Sequence, residues 1–331
     1  MEAAEAINKP AGTLKDWIAY IALRCVICGI QCLSLEGCDR LARVLAKVLA
    51  DWIPIRRRVT DENLERVYGQ ISAEHKSLLR QKMWHNLILL VCEIALASRK
   101  IHRHNYRDHF YMFQKEAVIK LLLEVRPTVF VTGHFGNFEV AGFSVGLLGT
   151  PTTTIARPLD NPYIDAFVQE FRSRGGQKML PKDGSAVKVQ ELLEAGGTLA
   201  LLADQHAGGK GVWVDFFGEA TSCHKALALF VLSSGAPMIV NYTRRLDRPL
   251  KYELGAKAIA DPALLESENP PEYLSSVLEL TEWYNAHLEN IIREAPEQYW
   301  WLHRRWRGVP EKVLRRIERR RQQKSEQRRA A

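Results

Sequence analysis

At 331 residues the chain has room for one large α/β domain or two average ones. With 47% apolar, 25% charged and 9% aromatic residues it reads as a globular protein with a substantial core. Its net charge of +8 is not spread evenly: residues 304–331 hold twelve Lys/Arg against three Glu, nine positive charges in excess, so the 303 residues before them are close to neutral. The pI of 9.2 therefore belongs to a C-terminal tail, which invites lipid headgroups, an acidic protein or nucleic acid. No nucleic-acid recognition motif accompanies the tail, and an anionic membrane surface is the expected partner.

Residues 1–12 read as a loose terminus. Leu14 to Leu35 is mostly apolar, interrupted by Arg24 and Gln31 and edged by Lys15 and Asp16. It is long enough to span a bilayer, and it lacks the basic start and small-residue cleavage site of a signal peptide. A single-pass anchor, an interfacial helix and a buried core helix are all open, with membrane contact preferred and Arg24 free to snorkel. Cys25, Cys28, Cys32 and Cys38 follow one another as C-x2-C-x3-C-x5-C. No histidine or second Cys pair completes a tetrahedral set there, so they are read as small hydrophobes and no metal is expected. With Cys92 and Cys223 they suit a reducing compartment.

Helical patterns continue. Asp39 to Leu49 is amphipathic, Trp52-Ile53-Pro54 ends it, and Arg56-Arg57-Arg58 form a basic cluster. Thr60 and Ser72 open further helices with capping character, the second running to Ile94. Residues 1–110 are thus expected to be a helical, membrane-facing region, with the anchoring or interfacial helix at 14–35.

From residue 128 strands alternate with helices. Strands are expected at 128–132, 152–156, 198–203, 211–217, 237–243 and 251–258. Helices are expected at 137–148, 161–174, 184–195 and 223–234, and a longer one at 272–292. This alternation predicts an α/β domain over 111–308, a layered α/β/α arrangement with a mainly parallel sheet, followed by the basic tail at 309–331. The functional edge of such a sheet is at the C-terminal ends of its strands.

Polar groups gather at those ends. His134 and Glu139 follow the first strand, Arg157 the second, Arg172 and Arg174 close the next helix, and Asp204-Gln205-His206 end an apolar run. Along one helix His134 and Glu139 would point about 140° apart. With His134 on the loop and Glu139 on the first helical turn, a hydrogen bond between them is open. A His/carboxylate pair without a Ser or Cys nucleophile suits a general base that deprotonates a substrate hydroxyl or amine. No G-x-S-x-G elbow is present, so covalent serine catalysis has little support.

His134-Phe135-Gly136-Asn137-Phe138-Glu139 resembles the H-x4-(D/E) motif of the lipid A biosynthesis acyltransferases, the lauroyl/myristoyl group within the wider glycerolipid acyltransferase superfamily. The resemblance extends through Ala156–Pro162, Leu201–Gln205, Val212–Gly218 and Pro296–Trp306, and includes Asp61-Glu62-Asn63-Leu64 in the helical third. It implies transfer of a fatty acyl chain from an acyl carrier protein thioester to a hydroxyl of a lipid A precursor. The work would be done at the cytoplasmic face of a bacterial inner membrane, without metal or cofactor. Carried over, His134 is the base and Glu139 its partner, while Asn137 caps the helix and helps shape an oxyanion pocket. Arg157, Arg172, Arg174 and Asp204 match polar blocks of the family, the arginines suiting substrate phosphates.

An apolar acyl groove is expected from Phe135, Phe138, Trp213, Phe216 and Phe217, with ordinary core as their alternative. His206 stands where many family members have an acidic residue, and Cys223-His224-Lys225 replaces a small neutral segment. These departures leave a related mannoside-lipid acyltransferase using acyl-CoA as an alternative. Two rivals come from other classes: a metal-dependent hydrolase built on His134, Glu139, Asp204 and His206, and a non-enzymatic adaptor acting through the tail.

Overall fold

A computed structural model describes residues 12–124 and 126–330. The loose terminus expected at 1–12 lies, apart from Gly12, outside the described residues. In chain order the elements are α1 (Leu14–Gln31), α2 (Leu35–Asp51), α3 (Arg57–Tyr68), α4 (Ala73–Lys100), β1 (Phe110–Phe113), α5 (Lys115–Leu123), β2 (Thr128–Thr132) and α6 (Phe138–Leu147). There follow β3 (Thr152–Ala156), α7 (Pro162–Arg174), β4 (Gln177–Pro181), α8 (Ser185–Glu194), β5 (Thr198–Leu202), β6 (Val212–Phe216) and β7 (Glu219–Cys223). The chain continues through α9 (Lys225–Ser234), β8 (Met238–Arg245), β9 (Tyr252–Ala260), α10 (Val277–Glu294) and α11 (Glu311–Ala330).

Among the described residues, seven strands form one sheet in the order β1-β9-β8-β2-β5-β3-β4. β8, β2, β5, β3 and β4 run parallel; β9 turns back antiparallel to β8, and β1 lies parallel to β9 at that edge. The α/β expectation holds. β2, Thr-Val-Phe-Val-Thr, is central and buried on both faces, which is why it reads as a continuous apolar run rather than an alternation. Val129 and Val131 enter the core with Val189 of α8, Val231 of α9 and Leu280 of α10. Phe130 points the other way, to Leu121 of α5 and Ile239 of β8. From β2 the chain builds outward through β3 and β4 and later fills the opposite side with β8 and β9. The C-terminal end of β2 is thus a topological switch point, where crevices form.

Three features depart from the sequence reading. Residues 211–217 join a separate hairpin with β7 rather than the main sheet. Its two-residue turn, Phe217-Gly218, has both φ angles positive, the geometry that matches the twist of an antiparallel pair. β1, β4 and β7 were not expected; β4, Gln-Lys-Met-Leu-Pro, is a half-exposed edge strand without alternation. The basic tail, set apart from the domain at 309–331 by its charge, forms α11 and docks on it: Ile317 is buried against Trp213 and Ala220, while Arg320 pairs with Glu279 and Glu282.

In the helical region, α2 buries Cys38, Ala42, Ala46 and Ala50, a small-residue seam that lets it lie close against α4. The opposite face keeps Leu41, Val44 and Leu45 exposed, and α1 exposes Leu14, Trp17, Ile18, Ile21 and Val26 along with Cys25, Cys28 and Cys32. Arg24 is exposed, and its guanidinium donates to Tyr20 Oη at 2.8 Å and stacks over Phe167 of α7 at 5.0 Å. Among the described residues no helix is long and apolar enough to cross a membrane.

Candidate active site

Parallel pairing of β2 with β5 brings their C-terminal ends side by side, and the Ala203 N–H donates to Thr132 O at 2.8 Å just beyond them. His134 and Asp204, seventy residues apart, emerge together. The Asp204 carboxylate accepts from the His134 backbone N–H at 2.8 Å through Oδ2 and faces Nδ1 at 2.7 Å through Oδ1. The pair is largely shielded, with side-chain exposures of 13% and 3%. Burial opposes charge on both, yet each partner's field outweighs it: Asp204 falls to about 2, helped by Arg305, and His134 moves above the ordinary imidazole value, with Glu139 contributing. An ionised Asp204 can only accept, so in the neutral ring Nδ1 carries the proton and Nε2 keeps its lone pair. Nε2 lies 3.2 Å from the Gln205 amide nitrogen.

The loop that presents His134 is clamped by a distant segment. Gly136 N–H donates to Gln298 O at 2.9 Å and Trp300 N–H to His134 O at 3.0 Å, with Phe135 bridged to Tyr299. Gly136 has φ +58°, and a Cβ there would fall 1.7 Å from Thr243 O, so the position accepts glycine alone. Phe138 and Trp300 set their rings edge-on to the imidazole at 5.0 and 5.2 Å.

Asn137 is fully buried. Its Oδ1 accepts from Val140 N–H and caps α6, while its Nδ2 donates to Glu93 Oε2 at 2.9 Å. Glu93 in turn receives two bonds from Arg245, at 2.8 and 2.6 Å, and the Leu250 N–H. This buried pair ties α4 to the end of β8 beneath the His134 loop.

Glu139, on the first turn of α6, is held by Arg172 rather than by His134: Nε and Nη2 donate to its two oxygens at 2.9 and 2.5 Å. Both line a cleft of about 450 Å³ with His134, Gln205, Trp300, Gln177 and, at the rim, Arg157. Arg157 is exposed and paired with Asp160 at 2.9 Å. Arg174 is exposed, paired with Glu170, and does not line the cleft. Asp204 lies under the cleft, reaching it through His134. A second, more apolar cleft of about 500 Å³ shares Phe130, Ala141, Val145 and Asn241 with the first and extends over Val118, Ile119 and Leu122 of α5. Of the five aromatics expected to line a groove, Phe138 does so; Phe135, Trp213, Phe216 and Phe217 are buried in the core.

Groups named for a metal are committed in different directions. Asp204 spends both oxygens on His134 and Glu139 both on Arg172, while the His206 backbone N–H donates to His303 Nε2 at 3.0 Å and occupies that ring nitrogen. Among the described residues no three His, Cys, Asp or Glu side chains converge as a metal would need.

Sequence reasoning gave no role to Gln205, Trp300, Arg305 or Glu93. Arg305, fully buried, donates to Gln205 O at 2.6 Å and to Cys223 Sγ at 2.9 Å, so it fixes the residue beside Nε2. A signal was available for Glu93, a carboxylate inside the apolar run Leu87–Leu96. None distinguished Arg305 from its neighbours in the basic stretch.

Comparison with known proteins bears on this geometry. The family model for bacterial lipid A biosynthesis acyltransferase matches residues 7–308. The chain is 25% identical over 304 residues to the lipid A biosynthesis lauroyltransferase of Escherichia coli K12, covering 90% of this chain and 94% of that one. It is 25% identical over 263 residues to the palmitoleoyltransferase of the same organism, covering 77% and 80%. A shorter match, 31% over 117 residues, covers 34% of this chain and 38% of the phosphatidylinositol mannoside acyltransferase of Mycolicibacterium smegmatis.

Proposed function

The chain belongs to the family of bacterial lipid A biosynthesis acyltransferases, and on that premise we propose that it moves a fatty acyl chain from an acyl carrier protein thioester to a hydroxyl of a lipid A precursor, with His134 as general base. It is an acyltransferase. The observation that carries the assignment of the base is the 2.7 Å contact between His134 Nδ1 and Asp204, which leaves Nε2 as a lone-pair acceptor at the cleft.

The acceptor hydroxyl gives its proton to Nε2 as its oxygen attacks the thioester carbonyl. Asp204 stays ionised, keeps Nδ1 protonated and stabilises the imidazolium that forms. The tetrahedral oxyanion collapses, the C–S bond breaks, and the imidazolium returns the proton to the departing thiolate. The Gln205 amide, 3.2 Å from Nε2, is the side-chain donor we assign to the oxyanion. Glu139 acts one step back: its charge favours the imidazolium, and its clamp on Arg172 keeps a guanidinium at the cleft wall beside Arg157 for anionic groups of the substrates. Asn137 sets the start of α6, and Arg174 supplies positive charge outside the cleft. The second cleft, more apolar and sharing four lining residues with the first, suits the acyl chain.

The exposed apolar faces of α1 and α2 support interfacial attachment to the cytoplasmic face of the inner membrane. The local match to the mannoside enzyme keeps a second glycolipid acceptor, with acyl-CoA as donor, in the test. Purified protein assayed with acyl carrier protein and CoA donors against both acceptors decides between them. Transfer from the carrier protein to the lipid A precursor is expected; transfer only from CoA to a mannoside lipid would reassign both substrates.

A further inference from the structure

A third cavity, of about 580 Å³, is not used by the chemistry above. It is lined by Pro54, Val59, His303 and the five arginines Arg56, Arg57, Arg58, Arg304 and Arg307, and by no carboxylate. Arg56 donates to Leu302 O at 3.0 Å, and Arg58 pairs with Glu62. Arg57, Arg304 and Arg307 are exposed and have no carboxylate partner among the described residues. The backbone behind them is fixed, because Asn63 Nδ2 donates to Trp301 O at 2.7 Å and His303 O at 2.8 Å. Arg58 apart, the four guanidiniums around the hollow have no carboxylate partner among the described residues and repel one another, and an anion seated among them relieves that repulsion. Their planar forks match phosphate oxygens.

Two neighbours say which kind of phosphate. The residues leading into the arginines are Trp52, 81% exposed, and the exposed Ile53 and Ile55, an aromatic and aliphatic tip suited to a bilayer interface. On the interfacial attachment proposed above, this tip puts the cavity beside the bilayer surface. It is also close to the base: Trp300 touches His134, and Arg304 follows four residues later, at most ~14 Å along the chain.

We infer that this arginine-lined cavity seats a phosphate ester of the acceptor lipid and so delivers the acceptor's hydroxyl to His134 Nε2. The inference rests on the reading of the chain as a lipid A precursor acyltransferase. A concave site favours a compact phosphate over the broad surface of an acidic carrier protein, which becomes an outcome of the test.

The test uses the full chain carrying Arg304→Gln, Arg307→Gln or both, with thermal melting to confirm folding, and measures KM for donor and acceptor. The acceptor is a phosphorylated lipid A precursor, compared with the same lipid after phosphatase treatment. The expected result is a rise of about tenfold or more in KM for the phosphorylated acceptor with donor KM unchanged. Against the dephosphorylated acceptor, wild type and variant should behave alike. Equal effects on both acceptors, or a rise in donor KM alone, overturn the proposal. A second arm reads binding without catalysis, by co-sedimentation with phosphatidylcholine vesicles doped with either acceptor or with phosphatidylglycerol. Wild type should bind vesicles carrying the phosphorylated acceptor better than the double variant does. A defect that follows phosphatidylglycerol instead assigns the cavity to the bilayer surface and overturns the proposal. If wild type transfers no acyl chain but passes the binding arm, the catalytic reading fails and the phosphate site stands.

Discussion

Asp204 grips His134 twice, one carboxylate oxygen on the ring at Nδ1 and the other on the backbone N–H, at 2.7 and 2.8 Å. One carboxylate thereby sets the position, the tautomer and the charge preference of the histidine. The motif that first drew attention to His134 points to Glu139, but the contact is made by a residue just past the end of the neighbouring strand.

Substituting Asp204→Asn keeps an acceptor for the backbone N–H and removes the charge. The rate should fall by about 10²–10⁴, as when a base loses the carboxylate that holds its tautomer. In wild type the base is active only when Nε2 is free, so kcat/KM should rise with pH through a midpoint above 6.5, set by the raised His134. In Asp204→Asn that midpoint should move down. A pH–rate profile of both enzymes checks this.

The same pair gives a pH window for stability. His134 is raised, so its contribution is complete below 6.5 and lost as pH climbs through its folded value; Asp204 is lowered to about 2, so its contribution is complete above 3.8 and lost as pH falls toward 2. Relative to Asp204→Asn, wild type should gain most between about pH 4 and 6.5. Denaturant melts across pH 3–9 test the sign.

Arg172 and Arg174 lie two residues apart and should behave differently. Arg172→Gln leaves Glu139 unpaired in a half-buried cleft wall and should reduce kcat/KM by about tenfold or more. Arg174→Gln breaks an exposed pair with Glu170, and its effect on stability should stay within about 0.5 kcal/mol. Parallel kinetics and melting distinguish the two.

Asn137→Ala should act mainly on stability. It removes the α6 cap, at about 1 kcal/mol, and one donor from the buried Glu93. Glu93→Ala is the harsher change: it strands Arg245 in the interior, at about 3–5 kcal/mol. Urea melts should rank them in that order.

What was legible followed burial. β2 announced itself because a strand covered on both faces is apolar throughout and stops where the chain must turn, at Gly133-His134. β4 and β7 did not, since an edge strand needs no such pattern; β6 was read as a strand, but a hairpin strand resembles a sheet strand until its partner is seen. Candidate residues were legible as polar groups at strand ends; their pairing was not. Which carboxylate reaches His134 depends on the register of β2 against β5, a contact across seventy residues. Likewise Arg305 resembles any member of the basic stretch until its burial against Gln205 and Cys223 is known.

The central claim is that His134 Nε2 takes the acceptor's proton. The most direct measurement is the single-turnover rate of acyl transfer from acyl carrier protein to a lipid A precursor by wild type and His134→Ala, at saturating substrates. A loss of about 10²–10⁴ with an unchanged melting temperature is predicted. A variant rate within about twofold of wild type would contradict it.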